Sequence, residues 1–217
     1  MREVKTQSKV RRDGAETTRR RIVDAAQQLF LANGYAATTI KEIADAASVA
    51  VQTIYWSFGT KAALVTGIRE RWLAQAHTGT RLEGVLAVPD PHERLVAAAA
   101  FMRHQWETGA DAVAIQQDAM RADPQIRADV EAVLENRSRV LAPIVRPLAP
   151  ALRDDVEPGE AVDIFIALLG FEIYHELRNR GWSAARYERW LIRTLQESLL
   201  EARPDPPTDR RAAGVRG

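Results

Sequence analysis

The sequence predicts an all-α protein of about nine helices, and two observations support that fold class. Apolar residues recur with helical spacing along most of the chain, and no segment alternates apolar and polar residues convincingly as a half-buried strand would. Glycine and proline divide the pattern at intervals typical of helix ends. We expect helices at about 17–33, from 39, 51–57, 60–83, 91–108, 111–121, from 124, 159–180 and 183–202.

Residues that favour helix ends stand at several of these boundaries. Gly34 follows the first helix, where a positive φ is tolerated. Thr39 and Glu42 form a capping-box pattern at the start of the second helix. Pro124 suits a first helical turn, and Ser183 suits the N-cap of the last helix. The third helix begins after Ala50 and therefore lacks a side-chain cap.

Composition limits the classes of function. The chain has no cysteine, which excludes disulfides and thiolate catalysis and fits a cytoplasmic protein. No apolar run is long enough for a membrane span. Residues 1–61 carry a net charge of +4, and the rest of the chain carries −3. A basic N-terminal segment fits phosphate contact at one end of the molecule, and a solvated basic tail explains the same excess equally well.

Residues 38–61 predict a helix-turn-helix. The second and third helices are too short to be stable alone, so they must pack on the first helix. We expect Val51, Ile54 and Phe58 to form the buried stripe of the third helix. Its remaining surface then presents two aromatic and two hydrogen-bonding side chains to solvent, which suits insertion into the major groove of DNA. A three-helix protein-interaction module is the alternative.

The predicted DNA contacts divide by chemistry. Glutamine and threonine can read base edges, whereas tyrosine, tryptophan and lysine suit phosphate and sugar. Lys61 lies in the first turn of the fourth helix, where its ammonium adds to the helix dipole as a phosphate site. The predicted contact residues are Thr38, Thr39, Lys41, Gln52, Thr53, Tyr55, Trp56 and Lys61.

This region resembles the tetracycline-repressor (TetR) family. The resemblance rests on Thr38-Thr39-Ile40-Lys41-Glu42-Ile43-Ala44-Asp45-Ala46-Ala47, Val49, and Thr53-Ile54-Tyr55-Trp56-Ser57-Phe58-Gly59-Thr60-Lys61-Ala62-Ala63-Leu64, together with residues of the first helix. It covers about residues 18–66. The sequence departs from the family pattern at Ser48 in the turn, at Ala50, at Gln52 and at Ser57.

The resemblance implies a homodimeric repressor, released from a pseudo-palindromic operator by a small-molecule effector of unknown identity. Its partners would be double-stranded operator DNA, a second copy of the chain and that effector, with no membrane and no cofactor. The expected division is a flexible basic arm at 1–16, the helix-turn-helix domain at 17–62, a dimerisation and effector domain at 63–202, and a disordered tail at 203–217.

Residues of the C-terminal domain are assigned from apolar helix faces. The predicted dimer interface is Phe165, Leu169, Trp190, Leu191 and Leu195, with burial inside one chain as the alternative. An effector pocket needs an apolar wall with a few polar groups. Its predicted lining is Phe101, His104, Trp106, Gln116, Met120, Phe171, Tyr174 and His175, and plain core packing is the alternative.

Two other functions fit parts of the sequence. A DNA-binding activator or nucleoid-associated protein would lack the effector. Glu172 and His175 form a Glu-x-x-His pair of the kind found in di-metal helical bundles, but that site needs a second such pair, which the sequence lacks. We therefore expect no catalytic residues and no metal site.

Overall fold

The computed structural model describes residues 2–202, with side chains from residue 13 onward. The described residues form ten α-helices and no strand. The helices are α1 (Arg2–Asn33), α2 (Ile40–Ala47), α3 (Val51–Phe58), α4 (Lys61–Gln75), α5 (Thr78–Leu86), α6 (Pro91–Ala122), α7 (Pro124–Val145), α8 (Pro158–Leu168), α9 (Phe171–Asn179) and α10 (Ala184–Leu199). A 3₁₀ segment, Arg146–Ala151, follows α7. The predicted all-α class is confirmed.

The first helix begins much earlier than the sequence predicted. Helix α1 starts at Arg2, whereas we expected a flexible arm as far as residue 16 and a helix from near Thr17. Residues 2–16 contain no proline and many good helix formers, so the helix continues through them without an apolar stripe. The absence of an apolar periodicity in this segment therefore does not exclude a helix. The predicted tail at 203–217 lies outside the described residues.

Three other boundaries differ from the prediction. The helix expected over 60–83 divides at His77, whose φ of 51° is left-handed. The helix expected over 159–180 divides after Leu168, and α9 restarts with Gly170 as its N-cap. The two helices expected on either side of Gly109 are one helix, α6. A Cβ at Gly109 would lie 2.2 Å from the Trp72 ring, so this glycine permits helix packing instead of ending a helix.

Most predicted helix caps are present. Thr39 and Glu42 form the capping box, and Ser183 accepts from the Arg186 backbone N–H at 3.1 Å. Gly34 has a φ of 83° at the end of α1. Ala50 provides no side-chain cap to α3, as expected. Local sequence therefore determines where the short helices of the N-terminal region begin.

Two apolar cores organise the molecule. The first joins α1–α4 to the C-terminal half of α6 and the start of α7, through residues such as Ile115, Ala119 and Ile126. The second fills the space between α5–α10. Helix α6 contributes to both cores and connects the helix-turn-helix to the rest of the chain. No helix of residues 2–202 is long and apolar enough to cross a membrane.

Candidate nucleic-acid interface

Helix α2 is closed at both ends by specific hydrogen bonds. At its start, the Thr39 backbone N–H and hydroxyl donate to Glu42 Oε2 at 2.7 and 2.8 Å, and the Glu42 N–H donates back to Thr39 Oγ1 at 3.2 Å. These bonds hold the pKa of Glu42 below its ordinary value. At its end, Ser48 adopts a left-handed φ of 52°, and Arg21 donates to the carbonyl of Ala47. The capping fixes the turn that leads into α3.

Helix α3 projects the predicted side chains into solvent. Trp56 is 80 % exposed and Tyr55 is 46 % exposed, whereas the preceding residue, Ile54, is buried in the first core. Gln52 is exposed and Thr53 is half-buried on the same short helix. The prediction of an open polar and aromatic surface on this helix agrees with the structure, and these four side chains lie together on α3.

The predicted buried stripe of α3 is only partly correct. Ile54 is buried and Phe58 is half-buried against the first core, but Val51 is 37 % exposed. A helix of eight residues is anchored through its middle and its end, so Val51 at the first position is left uncovered. Val51 therefore adds an apolar side chain to the exposed surface beside Gln52.

Sequence reasoning missed the role of Arg19. Its Nη1 donates to the Ser57 carbonyl at 2.7 Å, and its guanidinium lies 4.1 Å from the Phe58 ring centroid. This arginine of α1 thus satisfies a carbonyl in the last turn of α3. The run Arg19–Arg21 was the available signal, but its spacing does not show that two members serve α2 and α3. Arg20 remains exposed.

Thr38 and Lys61 differ from their predicted roles. Thr38 is 1 % exposed, and its hydroxyl donates to the carbonyls of Leu29 and Gly34. It is a structural residue at the end of α1, and a DNA contact through its side chain is wrong for this conformation. Thr39 and Lys41 beside it are exposed.

Lys61 points toward the protein instead of away from it. Its ammonium donates to the Tyr35 carbonyl and lies 4.2 Å from the centroid of the Tyr35 ring. Burial lowers the pKa of Lys61, and the nearby Asp123 and Glu42 partly offset that effect. Because the Lys61 ammonium packs on the face of the Tyr35 ring, it is not free for the predicted phosphate contact in this conformation.

The predicted dimer residues are mostly internal. Phe165, Leu169, Leu191 and Leu195 are fully buried within one chain, where pairs four residues apart face the second core. As interface residues these four are wrong, because the same helical spacing that gives an apolar stripe also builds a monomer core. Trp190 is half-buried and stays available at the surface.

The predicted effector residues do not line one cavity. Phe101, Trp106, Phe171 and Tyr174 are buried in the second core, with ring centroids of Trp106 and Phe171 5.4 Å apart. The Nε2 atom of His104 lies 3.3 Å from the Ala76 carbonyl oxygen, at the break between α4 and α5. His175 is exposed and stacks on Phe171 at 5.5 Å. Met120 packs against the first core.

Two cavities lie in other places. One, of about 190 Å³, opens between α4, α6 and α7 and is lined by Gln116, the one predicted effector residue found there, together with Arg69, Asp129 and apolar side chains. The other lies between α6, the segment after the 3₁₀ turn and α10. Among the described residues, no group of three or more His, Asp and Glu side chains is placed to hold a metal ion.

Comparison with known proteins gives a consistent result. Residues 22–68 match the model of the bacterial regulatory proteins of the tetR family. YvkB of Bacillus subtilis, an HTH-type transcriptional regulator, is 49 % identical over 51 residues, which are 24 % of this chain and 27 % of YvkB. The match thus spans about a quarter of that relative's length. UidR of Escherichia coli is 29 % identical over 148 residues, 67 % of this chain and 70 % of UidR.

Solved structures extend the likeness to the whole fold. SmeT of Stenotrophomonas maltophilia, solved in complex with triclosan, superposes with a TM-score of 0.69 at 20 % identity. The superposition covers 85 % of this chain and 92 % of SmeT. At that identity the similarity shows that the two proteins share an all-α fold.

A short helix that carries exposed polar and aromatic side chains after a tight turn has the form of the second helix of a helix-turn-helix, and residues 22–68 define a DNA-binding unit of that class. Within that class, residues 22–68 are similar to the N-terminal domain of the tetR family of bacterial regulatory proteins. That family is described as one of bacterial regulatory proteins.

Proposed function

We propose that the protein is a homodimeric repressor that binds a pseudo-palindromic operator and leaves it when a small molecule occupies its C-terminal domain. The observation that supports this most strongly is Trp56, 80 % exposed beside Tyr55 on a two-turn helix. Large exposed aromatic side chains on a monomer surface are typical of binding sites. A helix of this size fits the major groove.

The contacts we propose follow from exposure and chemistry. Gln52 reads a base edge, with an adenine as its best bidentate partner, and Thr53 accepts, donates or packs on a thymine methyl. Tyr55 and Trp56 donate to phosphates from the flanks of α3. Thr39 and Lys41, both exposed at the start of α2, contact the backbone of the DNA. Thr38 is excluded from the proposed DNA contacts because it is buried. Lys61 can contact a phosphate only if its ammonium first breaks its bond to the Tyr35 carbonyl.

The dimer surface we propose lies on α8 and α10, displaced from the residues first predicted. Ile166, Leu168, Trp190 and Ile192 are half-exposed apolar side chains on these two helices. Two copies packed through this surface would place their α3 helices on successive turns of one DNA face, about 34–36 Å apart. The two-fold symmetry of such a dimer is the physical reason for a pseudo-palindromic operator, and the distance sets the separation of its half-sites.

Effector control is proposed from the connectivity of the cores. Helix α6 spans both of them, so a ligand that moves α6 in the second core also moves the helices that hold α3. The solved complex of SmeT, the repressor of a multidrug efflux pump, with triclosan supports a small-molecule ligand in this fold. Its ligand is not carried over to this chain.

The experiment begins with selection of bound duplexes from a random-sequence library, using the full chain. The expected result is an inverted repeat, occupied by two chains per duplex in a sedimentation measurement. Enrichment of a single non-repeated site bound by one chain would contradict the homodimeric part of the proposal. Failure to enrich any sequence would contradict specific DNA recognition altogether.

A further inference from the structure

Two polar groups inside the second core have no hydrogen-bond partner. The indole Nε1 of Trp106 and the hydroxyl of Tyr187 are both buried, and neither forms a hydrogen bond. Buried polar groups are nearly always satisfied, because leaving a donor unpaired costs free energy. Burial raises the pKa of Tyr187, and the adjacent Trp106 N–H acts in the opposite direction. The two groups are therefore neighbours whose geometry falls short of a mutual hydrogen bond.

The side chain of Arg137, on α7, extends to the ring of Trp106. The guanidinium of Arg137 lies 5.6 Å from the centroid of the Trp106 ring, and its Nη2 donates to the Leu169 carbonyl at 2.6 Å. Among the described side chains no carboxylate forms an ion pair with Arg137. Burial lowers its pKa, while the charge of Glu172 raises it. Arg137 thus keeps most of its five donors unused.

These groups meet where α8 and α9 separate. Leu169, whose carbonyl Arg137 holds, is in the break, and Phe171 begins α9. The Phe171 ring packs edge-on to Trp106 and stacks on His175, which is exposed. The Phe171 ring thus contacts both the buried Trp106 and the exposed His175, and a ligand that enters here has to displace it.

The chemistry of the unused groups defines what would bind. An indole N–H and a guanidinium only donate hydrogen bonds, and the Tyr187 hydroxyl lacks an acceptor. A ligand must therefore supply acceptor atoms, and a negative charge would form the strong charge-assisted bonds that a guanidinium prefers. A cationic ligand is disfavoured, because the Arg137 guanidinium already lies over the Trp106 ring and would repel a second positive charge.

We propose that the break between α8 and α9 binds an aromatic organic anion, a carboxylate or a sulfonate, as the effector. The acid group pairs with Arg137 and accepts from Tyr187 and Trp106, and the aromatic body replaces Phe171 against Tyr174. Glu172, the nearby carboxylate, is exposed and accepts a hydrogen bond from Gln117 Nε2 at 3.4 Å. This inference rests on the effector part of the proposed function.

The test compares two fluorescent probes of matched shape, anilinonaphthalene sulfonate and the uncharged N-phenylnaphthylamine, on the purified full chain. Arg137→Met is expected to weaken binding of the sulfonate about tenfold or more and to change binding of the amine less than about twofold. Tyr187→Phe is expected to weaken only the sulfonate while leaving the Tm unchanged or higher, because it removes an unsatisfied hydroxyl. Arg139→Met, on an exposed position of the same helix, is the matched control and should change neither probe.

Equal losses for both probes in Arg137→Met, or equal effects of Arg137→Met and Arg139→Met, would overturn the anion site. Operator binding by the same proteins is measured without probe, so that the two proposals fail separately. If the wild-type chain binds operator and the Arg137→Met substitution leaves the sulfonate affinity unchanged, the anion site is contradicted and the proposed function is not. If the wild-type chain binds no operator, the proposed function is contradicted, whatever the probes show.

Discussion

The Tyr35 hydroxyl donates a 2.9 Å hydrogen bond to Oδ2 of Asp123, the residue that caps helix α7. The Tyr35 backbone N–H also donates to Asp118 Oδ2 of α6 at 2.7 Å. Residues 83 and 88 positions apart in sequence are thereby joined. Tyr35, in the turn between α1 and α2, thus connects the helix-turn-helix to the junction of α6 and α7. A shift of α6 at this junction would act directly on Tyr35.

Tyr35→Phe should destabilise the fold by about 1 kcal/mol, since it leaves the aromatic packing in place and removes one hydrogen bond from a carboxylate. The measurement is urea denaturation followed by circular dichroism. Tyr55→Phe serves as the control, because its ring is exposed and it should have no effect. Equal stability of the two variants would show that the Tyr35–Asp123 bond contributes nothing.

The capping box predicts a specific dependence of stability on pH. The pKa of Glu42 is lowered in the folded chain, chiefly by the Thr39 backbone N–H. A group with a depressed folded pKa stabilises the fold above its unfolded pKa, and that contribution is lost as the pH falls through the folded pKa. Glu42→Gln should therefore be less stable than the wild type near neutral pH, and the difference should shrink as the pH falls below the ordinary glutamate pKa of about 4.3.

Denaturation midpoints across a pH series measure this convergence. Asp45→Asn is a suitable control, because Asp45 is exposed on the same helix outside the capping box. A constant difference between wild type and Glu42→Gln at every pH would contradict a role for the carboxylate charge.

The missing cap of α3 offers a stabilising substitution. Ala50 has φ −70° and ψ 145°, a conformation suitable for an N-cap, yet it provides no hydrogen bond. Ala50→Ser should raise the free energy of unfolding by about 1 kcal/mol. Ala46→Ser, at an exposed position inside α2, should lower it slightly. A Tm that falls in both variants would mean that the Ala50 site cannot accept a capping side chain.

Trp190 and Leu191 are neighbours on α10 with different expected roles. Trp190→Ala should leave the helical signal intact and weaken dimerisation, because this ring is half-exposed. Leu191→Ala should instead cost about 2–5 kcal/mol of stability, because the side chain is fully buried. Sedimentation equilibrium and denaturation together separate the two effects. A Trp190→Ala protein with unchanged dimer affinity would exclude this surface.

Local signals were sufficient where a residue's role depends on its chain neighbours. Thr39, Gly34 and the uncapped Ala50 were predicted correctly, since caps depend on the adjacent turn. The open surface of α3 followed from helical periodicity around Ile54. Each of these features is decided within about one helical turn of sequence.

Residues whose roles depend on distant partners could not be predicted. Gly109 looked like a helix end because nothing local indicates that Trp72 packs on it. Lys61 bonds to Tyr35 and Arg19 to Ser57, contacts that exist only after α1, α3 and α4 are assembled. Leu191 and Leu195 were assigned to the interface but lie in the core, because an apolar stripe does not reveal which partner covers it.

The most direct test of DNA recognition through α3 is the affinity of single α3 variants for the selected operator, measured by fluorescence anisotropy over a range of salt concentrations. Trp56→Ala and Gln52→Ala should each weaken binding by about 1–3 kcal/mol without lowering Tm, and Gln52→Ala should also relax preference at one base pair of each half-site. Val140→Ala, an exposed apolar position on α7, should bind as the wild type does. Wild-type affinity in both α3 variants would contradict recognition of DNA through this helix.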